Sequence, residues 1–126
     1  MNTILLVDDN KNQLILYEQE LSLEGYEIVM ASDGKEALEK VEEESPDLII
    51  MDINMPNMNG LEAMGRIISK QKGIPTIIHT AYSNYKTKFM SWAAEAYIVK
   101  SSDLTELKTK IKELLANKAD ELMAIT

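Results

Sequence analysis

The sequence predicts an α/β domain: a five-stranded parallel sheet, doubly wound, with helices on both faces. Two observations carry that expectation. Short apolar, β-branched runs alternate five times with longer stretches whose apolar residues recur at helical spacing, and such alternation builds strand–helix–strand units into a parallel sheet. The strand-length runs are apolar at consecutive positions rather than at every second one, as in strands covered on both faces. A chain of 126 residues suits one domain whose core needs no disulfide or metal staple.

The elements follow in order. Ile4 to Val7 reads as the first strand. Asn10 and Gln13 stand at capping-box spacing before a helix with Leu14, Tyr17, Leu21 and Leu23 as its apolar stripe, and Gly25 stops it. Tyr26 to Ala31 is the second strand, and Asp33 with Glu36 caps a second helix carrying Ala37, Leu38 and Val41. Ser45-Pro46 closes that helix, because proline pushes the residue before it out of the helical region. Leu48 to Met51 is the third strand. Leu61, Met64, Ile67 and Ile68 mark a third helix, closed by Gly73-Ile74-Pro75. Thr76 to His79 is the fourth strand, and Tyr85, Phe89 and Trp92 give a short fourth helix. Tyr97 to Val99 is the fifth strand. Asp103 with Glu106 then caps a fifth helix through Leu104, Leu107, Ile111, Leu114 and Leu115. The stripe continues through Ala119, Leu122 and Met123, past what the five-unit fold needs.

Composition removes several function classes. The absence of cysteine excludes disulfides, thiolate zinc sites and cysteine nucleophiles, and fits a reducing cytoplasm. No apolar run approaches the roughly 20 residues that span a bilayer, and the first residues lack the basic start of a signal peptide. A formal net charge of −8 repels nucleic acid and anionic lipid, so neither is an expected partner. His79, the one histidine, lies in an apolar strand and reads as a packed core residue. The eight methionines read as core filler.

In parallel sheets, ligands bind beyond the carboxyl ends of the strands. Strand one ends in Asp8-Asp9, strand three in Asp52, strand four in Thr80 and strand five in Lys100. Taken singly, these are turn acids, a strand terminus and a solvated lysine. Together they place three carboxylates, a hydroxyl and an ammonium on one rim. Carboxylates held that close take up protons unless a cation binds, and an all-oxygen donor set suits a hard divalent ion such as Mg²⁺. A carboxylate is also a nucleophile for phosphoryl groups, and phosphoryl transfer asks mainly for positioning and charge neutralisation.

These segments resemble the receiver domain of bacterial response regulators over nearly the whole chain. Asp8-Asp9 after Leu-Leu-Val is similar to the family's acidic pair, and Asp52-Ile53-Asn54-Met55-Pro56 with Asn59-Gly60 to its phosphorylation loop. Thr80-Ala81 is similar to its hydroxyl-plus-small pair, and Tyr97-Ile98-Val99-Lys100 to its aromatic switch residue and lysine. The resemblance implies a flavodoxin-like strand order, 2-1-3-4-5, and a two-component switch rather than an enzyme, catalysing only its own phosphorylation and dephosphorylation. Asp52 is then the phosphoacceptor. Mg²⁺ is held by Asp9, by Asp8 through water, by Asp52 and by the Asn54 carbonyl. Lys100 and Thr80 serve the phosphoryl group, which the backbone of Asn54 and Ala81 contacts. The Asn54 and Tyr82 side chains set its lifetime, and Thr80 and Tyr97 switch the face of the fourth helix, fifth strand and fifth helix. The implied partner is a histidine kinase or histidine phosphotransfer protein. The switching face or the C-terminal helix offers a surface for a homodimer. Residues 1–117 are the implied receiver domain, with 118–126 a helical extension or the start of a linker.

The sequence departs from the family pattern twice. Ser101 follows Lys100 where the family has proline, commonly after a cis bond; a cis bond before serine costs about 3–4 kcal/mol, so a trans bond is expected. Ala93 stands where the family has glycine, beside Trp92. Two other functions compete. A haloacid-dehalogenase-type phosphatase also forms an aspartyl phosphate, but needs an acid two residues after the nucleophile, where this chain has Asn54. A nucleotide- or flavin-binding protein of similar topology lacks support, since no glycine-rich phosphate loop follows the first strand.

Overall fold

The computed structural model describes residues 2–52, 62, 65–67, 73–81 and 94–125. The apolar runs form β1 (Thr3–Val7), β2 (Glu27–Ala31), β3 (Leu48–Met51), β4 (Thr76–Thr80) and β5 (Ala96–Val99), each within two residues of its predicted bounds. The helical stretches give α1 (Lys11–Ser22), α2 (Gly34–Glu44) and a C-terminal helix (Thr105–Ile125). Residues 62 and 65–67 are helical as well. All strand pairs are parallel and the order is β2-β1-β3-β4-β5. The fold class and strand order are therefore those expected.

Successive strand residues point to opposite faces, and both faces are buried. Leu5, Val7, Ile49, Met51 and Ile78 pack with Ala37 and Val41 of α2 and with Ile67 on one side. Ile4, Leu6, Leu48, Ile50, Ile77 and Ile98 pack on the other side, with Leu14, Tyr17 and Leu21 of α1 and Leu107, Ile111 and Leu115 of the C-terminal helix. Two covered faces are why the runs are apolar at every position. Each fully buried Leu or Ile contributes about 1.5–3 kcal/mol relative to exposure.

The caps explain where helices begin and stop. Asn10 Oδ1 accepts from Gln13 N at 3.2 Å and Asp33 Oδ1 from Glu36 N at 2.8 Å. Gly25 takes φ +93° after α1 and Gly73 φ +92° before β4, a region where glycine is at ease. α2 ends at Ser45, whose φ of 45° is left-handed, directly before Pro46.

Two helix expectations need correction. Leu23 is 84 % exposed, not part of the α1 stripe. It lies two residues beyond the buried Leu21, about 200° around the helix, and so faces away. Asp103 is not the cap of the C-terminal helix. Leu104 takes that position, its carbonyl accepting from Lys108 N, and Asp103 Oδ1 instead accepts from Thr105 N and Oγ1 one residue too early. The expected trans bond is found at Lys100–Ser101, since no cis peptide occurs among the described residues. The predicted positions Leu61, Met64, Ile68, Tyr85, Phe89, Trp92 and Ala93 lie outside the described residues.

Candidate phosphoryl-transfer site

Backbone hydrogen bonds carry the sheet one residue past the strand ends, and this fixes the rim. Asp8 N donates to Ala31 O (3.1 Å), Asp52 N to Val7 O (2.9 Å) and Lys100 N to Thr80 O (2.7 Å). Each of the three side chains therefore leaves from a residue already pinned to the neighbouring strand. Thr80, fully buried, closes β4 opposite Val99, which places it beside the start of the Lys100 segment.

The carboxylates converge as expected. Asp8, Asp9 and Asp52 each offer an oxygen, all within 4.8 Å of one another. Asp8 and Asp52 are buried and Asp9 is exposed. Lys100 Nζ reaches between them, donating to Asp8 Oδ2 at 2.6 Å and to Asp52 Oδ2 at 2.8 Å. Asp8 Oδ1 accepts from Asn10 N at 2.9 Å.

Burial raises the Asp8 carboxyl above its ordinary value, and the Lys100 and Asn10 hydrogen bonds only partly offset this. Burial works against the Lys100 ammonium too, but hydrogen bonds and charge from Asp52 and Asp8 outweigh it, so Lys100 is raised and held as a cation. By count of charge, one ammonium does not fully compensate the two buried carboxylates it bridges. A second, harder cation would. Three carboxylate oxygens within reach of one point match the hard-oxygen donors that Mg²⁺ selects, so these side chains fit that ion.

Two buried ring side chains come from the neighbouring strands β4 and β5. His79 is buried under the rim, its ring 5.1 Å from that of Tyr17 and tilted 58° to it, as the packed role foresaw. Tyr97 is buried in the core with Ile67, Ala94 and the α2 residues. Ala81 is exposed just past β4. Asn54 and Tyr82, and with them residues 53–60, lie outside the described residues.

One contact went unread in the sequence. Gln13 Oε1 accepts from Lys100 Nζ at 2.5 Å, joining the first turn of α1 to a residue 87 positions away. The sequence marks Gln13 only as the capping partner of Asn10. The available signal was positional: the first turn of a helix that follows Asp8-Asp9 has to lie at the same rim.

Comparison with known proteins places this geometry in a family. The response regulator receiver domain matches residues 4–112. The response regulator ArlR of Staphylococcus saprophyticus is 39 % identical over 117 residues, covering 91 % of this chain and 53 % of its own length. The alkaline phosphatase synthesis transcriptional regulatory protein PhoP of Bacillus subtilis is 32 % identical, over 89 % of this chain and 48 % of its own length. The chain thus spans about half the length of the curated relatives it matches. Among solved structures, response regulator TrrA of Thermotoga maritima in complex with Mg²⁺-BeF is similar at 48 % identity and a TM-score of 0.86, over 90 % of this chain and 99 % of that one. TrrA in complex with the histidine kinase ThkA is similar at 49 % identity and a TM-score of 0.84, over 91 % and 99 % of the two chains. On a match that takes in all five strands and the opening turns of the C-terminal helix, the chain belongs to the response regulator receiver domain family.

Proposed function

We propose that this chain is a phosphoryl-accepting switch of a two-component or phosphorelay system, with Asp52 as the acceptor. The observation that carries the reading is the meeting of Asp8, Asp9 and Asp52 within 4.8 Å, with Lys100 Nζ 2.8 Å from Asp52. The donor is a phosphohistidine on a kinase or phosphotransfer protein. An Asp52 oxygen attacks the phosphorus; the O–P bond forms as the P–N bond breaks, and the electron pair goes to the imidazole nitrogen, which takes a proton from solvent. Mg²⁺ on Asp9, on Asp8 through water, on Asp52 and on the Asn54 carbonyl would supply charge neutralisation for the phosphoryl oxygens. Lys100 holds one of those oxygens, and the backbone of Asn54 and Ala81 contacts others. Thr80 turns toward the new group and Tyr97 follows it, while Asn54 and Tyr82 set how long the group survives.

The added charge of about −1.5 to −2 on Asp52 then biases the face built from β5, the C-terminal helix and the segment before β5. Residues 1–117 act as the receiver unit, and 118–126 serve as an extension of its last helix or as the start of a linker. The relation to TrrA, which has been solved with Mg²⁺-BeF and with a histidine kinase, supports both the metal and the partner. No helix among the described residues is long and apolar enough to cross a membrane, and the cysteine-free chain suits the cytoplasm. The phosphatase reading gains nothing, because residue 54 is an asparagine. The test is labelling by a small phosphodonor such as acetyl phosphate. Labelling should require Mg²⁺ and vanish in Asp52→Asn; a mutant that still takes up label would remove Asp52 from the role.

A further inference from the structure

We propose that Gln13 is a positioning residue, the acceptor that keeps the Lys100 ammonium in place when a divalent cation occupies the acidic cluster. The inference rests on the phosphoryl-acceptor reading and deepens it. An ammonium has three N–H donors and accepts nothing. Lys100 Nζ directs them to Asp8 Oδ2 (2.6 Å), Asp52 Oδ2 (2.8 Å) and Gln13 Oε1 (2.5 Å). The first two acceptors are carboxylates of the acidic cluster, whereas Gln13 offers a neutral amide carbonyl.

Asp8 has both oxygens engaged, Oδ1 by Asn10 N and Oδ2 by Lys100. A dication drawn to Asp8 and Asp52 competes for the lone pairs that hold Lys100, and its charge repels the ammonium at this range. The Lys100 side chain is only 12 % exposed, so little water stands ready to take over the lost bonds. The neutral Gln13 carbonyl loses least to the cation. It is also held independently, because Gln13 N is tied to Asn10 Oδ1 and α1 is anchored by the buried Leu14 and Tyr17. With Gln13 in place, Lys100 can yield Asp8 to the cation and stay within reach of Asp52. Without it, the ammonium has only carboxylates to hold, and the cation has to displace it from them.

The test is a double-mutant cycle on Mg²⁺ affinity, read by isothermal titration calorimetry. Gln13 is half-buried and Leu fits its volume, while Gln13→Asn keeps the amide but withdraws its reach. Removing a hydrogen bond to a charged group should weaken Mg²⁺ binding about tenfold in both variants. In a Lys100→Met background, Gln13→Leu should leave the affinity unchanged, since Gln13 acts through the lysine. Equal affinities for wild type and Gln13→Leu overturn the proposal, as does the same loss in both backgrounds, which is what a purely structural role produces. Absence of Mg²⁺ binding by the wild type is a different failure: it overturns the acceptor reading itself.

Discussion

His79 carries the clearest pH signature of any single residue here. Burial first, and the Lys100 charge after it, lower its pKa from 6.5 to about 4, with Asp52 pulling partly the other way. The folded state therefore binds a proton less readily than the unfolded chain. As pH falls below 6.5 the unfolded chain takes up the proton first, and the native state loses stability until pH reaches about 4. The contribution, on the order of 3 kcal/mol, is complete above pH 6.5 and is lost across that window. Urea midpoints measured with a chelator present should fall more steeply from pH 7 to 5 in wild type than in His79→Phe, which keeps an aromatic ring against Tyr17. Parallel midpoints would show that other groups carry the acid sensitivity.

Among the elements, α2 is the one whose start depends most visibly on a single side chain. Asp33 Oδ1 accepts from Glu36 N at 2.8 Å, and Glu36 Oε2 returns to Ser32 Oγ at 3.1 Å. Asp33→Ala should cost about 1 kcal/mol, seen as a lower urea midpoint at unchanged slope. An unchanged midpoint would mean that water caps the helix equally well. The same comparison marks what the sequence disclosed. Asn10 and Asp33 were legible as caps because an acceptor stands three residues before the N–H it satisfies. Asp103 matched that spacing equally well and was misplaced, because Thr105 offered its side chain both a backbone N–H and a hydroxyl at closer range. Strands were legible to within a residue or two, since burial on both faces leaves an unbroken apolar run. Leu23 was not, because hydrophobicity alone does not tell which side of a helix end is covered.

For the whole molecule, the strand ends were legible because parallel topology sends every carboxyl terminus to one rim, so four local readings became one site. The Gln13–Lys100 bond was not, since it joins residues 87 apart through side-chain geometry alone. The assembled rim is where an acidic chain of net charge −8 concentrates its repulsion, with two carboxylates buried and one ammonium between them. A ligand that binds the folded state alone stabilises it by mass action, by about 2.7 kcal/mol at a hundred times its Kd. The cluster exists only once β1 and β3 are paired, so Mg²⁺ should raise the thermal midpoint in a saturable way, and a chelator should reverse the rise. Two things besides site binding could lift the midpoint, screening of the net charge and weak binding elsewhere. Sodium chloride at matched ionic strength reproduces screening, which already reaches about 10 Å at 0.1 M. Asp9→Asn removes the exposed carboxylate, which is not one of the three acceptors of Lys100 Nζ, and so should abolish the rise while leaving the metal-free protein folded. A rise that sodium chloride matches, or that survives Asp9→Asn, would assign the effect to the surface as a whole and not to the rim.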